Sequence, residues 1–384
     1  MQPDNFKSLL SGQVIHDPKG FYAFVPAKLP PSIAFEQDLV ASLSRADAAL
    51  GELSGYGQIL PNPHVLIGSS VRREAVMSSQ IEGTQATLSE ILLDEATPEA
   101  SPRPKNADDL GEVHNYVLAL DYGIERLKSF PLSLRLVREI HEKLMAGVRG
   151  RHATPGEFRR SQNWIGPAGS NPANADYVPP PVEEMTELLS DWEGYLHKRD
   201  SMPDLIQCAI LHEQFEAIHP FLDGNGRVGR LLITLFLIER GRLSQPLLYL
   251  SDFIERHRSD YYQLLQRIRT HGEWIPWIRF FLAGVEATAK DAARRARTLA
   301  GIREALMRET GGEHGLVDSL LSNPYITLAT AAKALDVSVP TATRRIKELE
   351  SKGVLREVTG RGWRKVYLAA EILAVIERRA DSPP

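Results

Sequence analysis

The chain of 384 residues contains a single cysteine, Cys208. One thiol can neither close an intramolecular disulfide nor build a Cys-rich zinc site. Its apolar helical surroundings predict a buried, inert side chain. Long hydrophobic runs are equally scarce. The longest predominantly apolar stretch, residues 231–238, is less than half of the about 20 residues that a membrane-spanning helix needs, so no membrane partner is expected. The opening Met1-Gln2-Pro3-Asp4-Asn5 lacks the basic and apolar regions of a secretory signal. Charge of one sign is not in excess either: 45 Lys and Arg face 49 Asp and Glu, a net charge of -4. Any nucleic-acid interface must therefore be local. Internal repeats and low-complexity tracts are absent. With 43% hydrophobic and 24% charged residues, the composition is globular rather than disordered. A cytoplasmic protein of two or three domains is the expectation.

What is present is helical periodicity. Apolar spacings of three and four predict helices over residues 34–53, 64–81, 108–127, 132–145, 182–196, 204–217, 227–239, 259–270 and 274–297. The first is expected to end in the turn-rich Ser54-Gly55-Tyr56-Gly57, ahead of Pro61-Asn62-Pro63. Gly83 is a plausible cap for the second. Residues 97–104, with three prolines, read as a boundary. Gly, Pro and Asn interrupt the pattern over residues 149–181, within which 163–166 and 176–178 predict a β-hairpin or flap. The last segment differs in kind. A short helix over 327–335, a turn at Asp336-Val337-Ser338 and a second helix over 339–352 are expected, with Ser338 as N-cap and Gly353 at the close. β-rich runs over 354–358 and 363–368 follow, around Thr359-Gly360-Arg361-Gly362. That order is the winged helix-turn-helix pattern. The expected fold class is mainly α: an N-terminal helical region over 1–105, a helical core with a flap over 106–298, and a linker helix with a winged helix-turn-helix over 299–384.

The string that carries chemistry is His219-Pro220-Phe221-Leu222-Asp223-Gly224-Asn225-Gly226-Arg227-Val228-Gly229-Arg230. It reads as a helix end, a tight polar loop and a helix start. Gly224 and Gly226 remove side chains where backbone N–H groups would face a ligand, and the helix start adds its positive dipole end. Together they make an anion site. Arg227 and Arg230 lie three apart and share a helix face; their forks suit phosphate oxygens. Asp223 is a hard oxygen ligand for the Mg²⁺ that accompanies a polyphosphate. His219 is the one group of the string that exchanges protons near neutral pH. Upstream, His212-Glu213 begins a zincin-like pattern, but position 216 is Glu rather than His, so that reading fails. His212 and Glu216 are instead expected to orient the helix leading into His219.

This string resembles the signature of Fic-domain proteins, His-Pro-Phe-x-Asp-Gly-Asn-Gly-Arg-x-x-Arg, at every fixed position. The resemblance covers residues 108–286 as a helical core, and the flanking segments resemble those of bacterial relatives with an N-terminal regulatory region and a C-terminal winged helix. It implies transfer of AMP from ATP to a Ser, Thr or Tyr hydroxyl of a target protein, or of the chain itself. His219 would take the hydroxyl proton while the oxygen attacks the α-phosphate and pyrophosphate leaves. Asp223 would hold Mg²⁺, and Gly224, Asn225 and Gly226 would form the anion hole. Arg227 would steady the β-phosphate and Arg230 the γ-phosphate. A kinase-type branch carries Lys in place of Gly226, which this chain does not. The segment Ser78-Ser79-Gln80-Ile81-Glu82-Gly83 resembles the inhibitory helix of the same family, which implies that Glu82 competes for Arg230; by its residues alone it reads equally as a helix end with an exposed acid. The flap resembles the family hairpin that holds a target by main-chain pairing, with Ile165, Gly166, Tyr177 and Val178 bordering the groove. Tyr261 and Tyr262 stand where relatives have the adenine-side wall, and a core role fits them as well.

Residues 333–365 carry nine basic side chains against four acidic ones. Thr341, Thr343, Arg344 and Lys347 lie where a recognition helix would face a groove, with Arg361 and Arg364 on the wing. DNA binding, dimerisation (a possible homodimer) and target docking all fit. Three functions follow: an adenylyltransferase restrained by Glu82, the same site run in reverse to remove AMP, or a DNA-binding regulator whose core senses nucleotide.

Overall fold

The computed structural model describes all residues except 60–62, 98–105, 148–153, 200–201, 361 and 379–384; the side chains of 59 and 63–66 are also not described. An antiparallel hairpin, β1 (Gly12–Asp17) and β2 (Phe21–Pro26), opens the chain. The N-terminal helices are α1 (Gln37–Ile59), α2 (Pro63–Ile81) and α3 (Leu88–Ala96). The core consists of α4 (Ala107–Leu127), α5 (Leu134–Leu144), α6 (Val182–Leu196), α7 (Asp204–Ile218), α8 (Asn225–Glu239), α9 (Ser251–Arg256), α10 (Arg258–His271) and α11 (Trp274–Glu309). The C-terminal unit comprises α12 (His314–Ser322), β3 (Tyr325–Thr327), α13 (Leu328–Leu335), α14 (Val339–Ser351), β4 (Arg356–Glu357), β5 (Val366–Leu368) and α15 (Ala370–Glu377). Its sheet has the order β3-β5-β4, antiparallel throughout. Helix, helix and a small sheet complete a winged helix-turn-helix.

The middle of the molecule is the α7–α8 pair. Every residue of α7 from Leu205 to Ile218 is buried, and so is every residue of α8 from Arg227 to Leu237. A helix apolar on nearly all sides belongs inside a protein, and α4, α5, α6 and α11 surround these two. Trp192 and Trp277 fasten α7 by donating their indole N–H groups to the carbonyls of Leu211 and Ala209, both at 2.9 Å. The loop joining α7 to α8 is thus mounted between two buried helices.

Several elements depart from the reading of the sequence, α9, β3 and α15 among them. α1 runs straight through Ser54–Gly57, because it packs along α11 and tertiary contacts override turn composition. A side chain at Gly57 would come within 2.8 Å of Ser244 Oγ, so glycine there permits close approach rather than a turn. α3 was not anticipated, although Thr87 and Glu90 form a reciprocal capping box at its start. The β1–β2 hairpin was not anticipated either. Finally, α11 continues unbroken to Glu309, past the expected helix end at 297. The proline-rich stretch over 97–104 falls outside the described residues apart from Thr97, as does Pro61-Asn62.

Candidate active site

α7 ends at Ile218 because His219 turns left-handed, with φ 49°. For a residue other than glycine this conformation costs about 1–3 kcal/mol and persists only where the surroundings impose it. The His219 carbonyl accepts hydrogen bonds from Arg159 Nε at 3.0 Å and Asn163 Nδ2 at 3.2 Å. The Arg159 backbone N–H donates to Pro220 at 2.8 Å, and Asn163 Nδ2 also reaches the Phe221 carbonyl at 2.8 Å. Arg159 is 1% exposed and donates further to the carbonyls of Ser161 and Pro180. Burial lowers its pKa to about 10, which leaves it charged. One guanidinium thus ties residues on both sides of the flap to the loop between α7 and α8.

The rest of the loop is held from two sides. Asn225 clasps the Phe221 backbone, accepting from its N–H at 2.8 Å and donating to its carbonyl at 2.9 Å. The Phe221 ring stacks on His141 at 3.7 Å with 4° between planes. His141 Nδ1 accepts from the Gly156 N–H at 2.9 Å, which puts the ring proton on Nε2, 3.1 Å from the Asp223 carbonyl. Burial holds that ring neutral, with a pKa near about 4. Gly224 is left-handed (φ 79°), and a Cβ there would lie 2.9 Å from Met145 Sδ. No side chain caps α8 at Gly224, so the first N–H groups of α8 could receive an anion. Asp223 is half exposed; its Oδ1 accepts from the Gly224 N–H at 2.6 Å and stands 3.6 Å from Arg227 Nη2.

Arg227 and Arg230 point inward, with side chains 5% and 1% exposed. Arg227 pairs with Glu112 at 3.4 Å. Arg230 donates to Ser78 twice, through Nε to Oγ and through Nη2 to the carbonyl, each at 2.9 Å, and meets Glu82 Oε1 at 2.7 Å. A Cβ on Gly226 would fall inside van der Waals distance of that same Glu82 oxygen. The glycine therefore leaves the space that the carboxylate fills. Burial opposes the charge on Glu82, but Arg230, aided by Arg227 and His219, outweighs it and holds the carboxyl below its usual range. His219 experiences the reverse: burial, then Arg269 and Arg159, push its pKa down to about 4. Its ring is neutral at pH 7, and its buried Nδ1 has no hydrogen-bond partner.

This arrangement of a buried histidine, an uncapped helix start, two arginines and a facing carboxylate stands beside three family matches. The Fic/DOC family N-terminal description matches residues 40–125, the Fic/DOC family description residues 131–237, and winged helix-turn-helix DNA-binding residues 315–356. The chain belongs to the Fic/DOC family. It is 31% identical over 187 residues to "Protein adenylyltransferase Fic" of Culex quinquefasciatus, covering 46% of this chain and 33% of that protein. It is 29% identical over 250 residues to the protein of the same name from Nematostella vectensis, covering 62% and 52%. The chain thus spans a third to a half of the length of these curated relatives. Among solved structures, a Fic family protein from Desulfovibrio desulfuricans G20 superposes with a TM-score of 0.58 at 21% identity, over 89% of this chain and 98% of that one. Fic-1 (aa134–508) from C. elegans gives 0.51 at 18% identity, over 67% and 74%. These two share the fold.

Within this Fic/DOC chain the flap is reduced to one antiparallel bridge. Ile165 and Tyr177 exchange both backbone bonds, at 2.8 and 3.0 Å. Gly166 follows, where a Cβ would lie 2.8 Å from Ser170 Oγ. Tyr177 is anchored by its hydroxyl to the Ala217 carbonyl at 2.7 Å and lies under the Arg269 guanidinium at 4.1 Å. β2 braces the flap from outside, the Phe24 N–H donating to Val178 at 2.9 Å.

The two tyrosines separate. Tyr261 is 1% exposed and its hydroxyl bonds His212 Nε2 at 2.9 Å. It sits in the core, the second of the two roles that its sequence position allowed, because α10 turns that face onto α7. Tyr262 is 43% exposed and stands edge-on to Tyr261, so it alone of the two offers a ring. His212 Nδ1 faces the Gly229 carbonyl at 3.1 Å and so links α7 to α8. The Asn225 side chain is spent on Phe221, which leaves its backbone as the group that could face an anion. Arg159, Asn163, His141 and Glu112 were not singled out by the sequence, since none lies in a motif or at a diagnostic spacing.

Among the described residues no group of three or more His, Cys, Asp or Glu side chains could hold a metal ion. Asp223 alone suffices for Mg²⁺ that arrives with a polyphosphate, since such ions take one or two carboxylates and fill the rest with phosphate oxygens and water. No helix among the described residues is long and apolar enough to cross a membrane. On the winged helix, Arg344 and Lys347 are exposed. Arg345 turns inward to Glu313, Glu348 and the Thr310 carbonyl. The hydroxyls of Thr341 and Thr343 bond Ser338 Oγ and the Val339 carbonyl. Arg364 lies over the exposed Trp363 ring, and Arg361 is outside the described residues.

Proposed function

We propose that this Fic/DOC protein transfers AMP from ATP to a side-chain hydroxyl of a protein, and that Glu82 restrains it. The observation that carries the reading is the meeting of Glu82 and Arg230 over Gly226, beside a neutral His219 and the open N-terminus of α8. His219 takes the proton of a Ser, Thr or Tyr hydroxyl. The oxygen forms a bond to the α-phosphorus, and the bond to the bridging oxygen breaks as pyrophosphate departs. The N–H groups at the start of α8 and Arg227 and Arg230 stabilise phosphate charge. Asp223 would hold Mg²⁺, which supplies positive charge to the phosphates when bound. The names of the relatives support this reading.

Docking of the acceptor follows from the flap. Ile165 spends both backbone groups on Tyr177, and β2 occupies the far side at Val178. Neighbours along an antiparallel strand point the opposite way, so Trp164 and Gly166 present their N–H and C=O groups to the outer edge. Trp164 and Ile165 are 40% and 39% exposed there. An extended target segment adds to that edge by main-chain pairing. Exposed Arg344 and Lys347 support duplex DNA as a ligand of α14 in the same protein.

The deciding experiment compares ATP labelled at the α- and at the γ-phosphate. Label should appear on protein from the α position only, and His219→Ala should reduce it by about 10²–10⁴-fold. Undiminished labelling in a folded His219→Ala protein removes His219 as the base, and labelling from the γ position replaces adenylyl by phosphoryl transfer.

A further inference from the structure

The winged helix packs against the segment that carries Glu82. α12 and α15 lie against α2, and β3 lies against α3. Val71 of α2, Leu92 of α3, Leu320 of α12 and Ile376 of α15 belong to one buried cluster. Polar contacts reinforce it. Asn323 Nδ2 donates to the Leu92 carbonyl at 2.8 Å, and the hydroxyls of Tyr325 and Ser89 meet at 2.6 Å. Arg73 of α2 donates through Nη1 to the Ile376 carbonyl at 2.9 Å, near the end of α15, while its Nη2 pairs with Asp252 of α9 at 2.7 Å.

These contacts fall on both sides of Glu82. Arg73 precedes it by nine residues, about 13 Å along a helix rising 1.5 Å per residue, and α3 begins just after Thr87. The turn between carries its own ties to α4: Thr84 Oγ1 donates to Glu112 and the Gln85 N–H to Asp109, each at 2.8 Å. α2 is a continuous helix that packs on α4 and α9 as well as on α12 and α15, so its contacts with the winged helix are joined through one rigid element to the end at which Glu82 meets Arg230. The contact surface comes from α12, β3 and α15, so exposed Arg344 and Lys347 of α14 lie outside it and stay available while the unit is docked.

We propose that the winged helix is a regulatory clamp on the inhibitory turn: docked, it holds α2 and α3 so that Glu82 occupies Arg230, and undocking of the unit frees the site. The regulatory part rests on the reading of Glu82 given above. The mechanical part is independent of catalysis.

The full-length double variant Asn323→Ala/Tyr325→Phe removes two of the clamp's hydrogen bonds without touching the catalytic loop. Two bonds of ordinary net worth correspond to roughly 30-fold in an opening equilibrium. Hydrogen exchange of amides 79–84 should accelerate by about that factor, and AMP transfer should rise by up to the same factor. Adding both changes to Glu82→Gly should give no further gain. Unchanged exchange at 79–84 overturns the clamp whatever the enzymatic result. Wild-type transfer by the double variant beside an activated Glu82→Gly protein overturns its regulatory role. Accelerated exchange with no activation in either protein upholds the clamp and removes the inhibitory reading of Glu82 instead. If the double variant does not fold, Ser89→Ala removes the Tyr325 bond from the other side and is read in the same way.

Discussion

Replacing Glu82 by glycine isolates the restraint on the site. Arg230 is 1% exposed and Glu82 35%, with 2.7 Å between Nη2 and Oε1. A charge-assisted bond with one partner buried and the other partly in water lies between the surface and buried cases, at about 1–2 kcal/mol. If that energy is what an incoming γ-phosphate must displace, its removal accelerates AMP transfer roughly 5- to 30-fold. Arg230 does not collapse in the variant, because its two bonds to Ser78 come from the preceding turn of α2. Glu82→Gln should gain less, since it keeps the bulk and an acceptor oxygen above Gly226. Arg230→Ala should not activate, since it removes the phosphate grip along with the competitor. The assay is the initial rate of self-labelling from α-labelled ATP at saturating nucleotide, with thermal melts to confirm folding. A folded Glu82→Gly protein that labels itself at the wild-type rate refutes the argument, as does equal activation by Arg230→Ala.

Two further outcomes are expected. Glu216 is buried with Oε1 unpartnered, and burial raises its pKa to about 7 despite Arg230; a folded-state pKa above the unfolded one means that its stability contribution is present below about 4.5 and lost as pH rises through 7. Glu216→Gln escapes that loss, so its melting temperature should match wild type at pH 5 and exceed it at pH 8, by up to about 1–3 kcal/mol in stability; a gap that does not widen with pH would contradict the buried, protonated carboxyl. Binding of the full chain to duplex DNA, followed by fluorescence anisotropy, should weaken steeply with salt and weaken further in Arg344→Ala/Lys347→Ala; absence of binding at low salt leaves docking or dimerisation as the use of α14.

The sequence by itself determined the family, the helical class, the winged helix and the His219–Arg230 string, because these rest on local regularities. Helical periodicity survives wherever one face is buried, and a loop that must bind anions through its backbone needs glycines at fixed offsets. Tertiary structure decided what no local pattern encodes. Residue 159 reads as one of four arginines in the Gly- and Pro-rich stretch over 149–181, and only the fold brings its guanidinium under the His219 carbonyl, 60 positions along the chain. The hydrogen bonds of Tyr261 to His212 and of Asn225 to Phe221 depend on which way a ring or an amide turns, and neighbouring helices settle that. α1 persists through Ser54–Gly57 because α11 packs along it. The contact of Glu82 with Arg230 joins residues 148 positions apart. A motif at each end made it expected, yet the space above Gly226 that admits the carboxylate exists only once α2 is folded against α8.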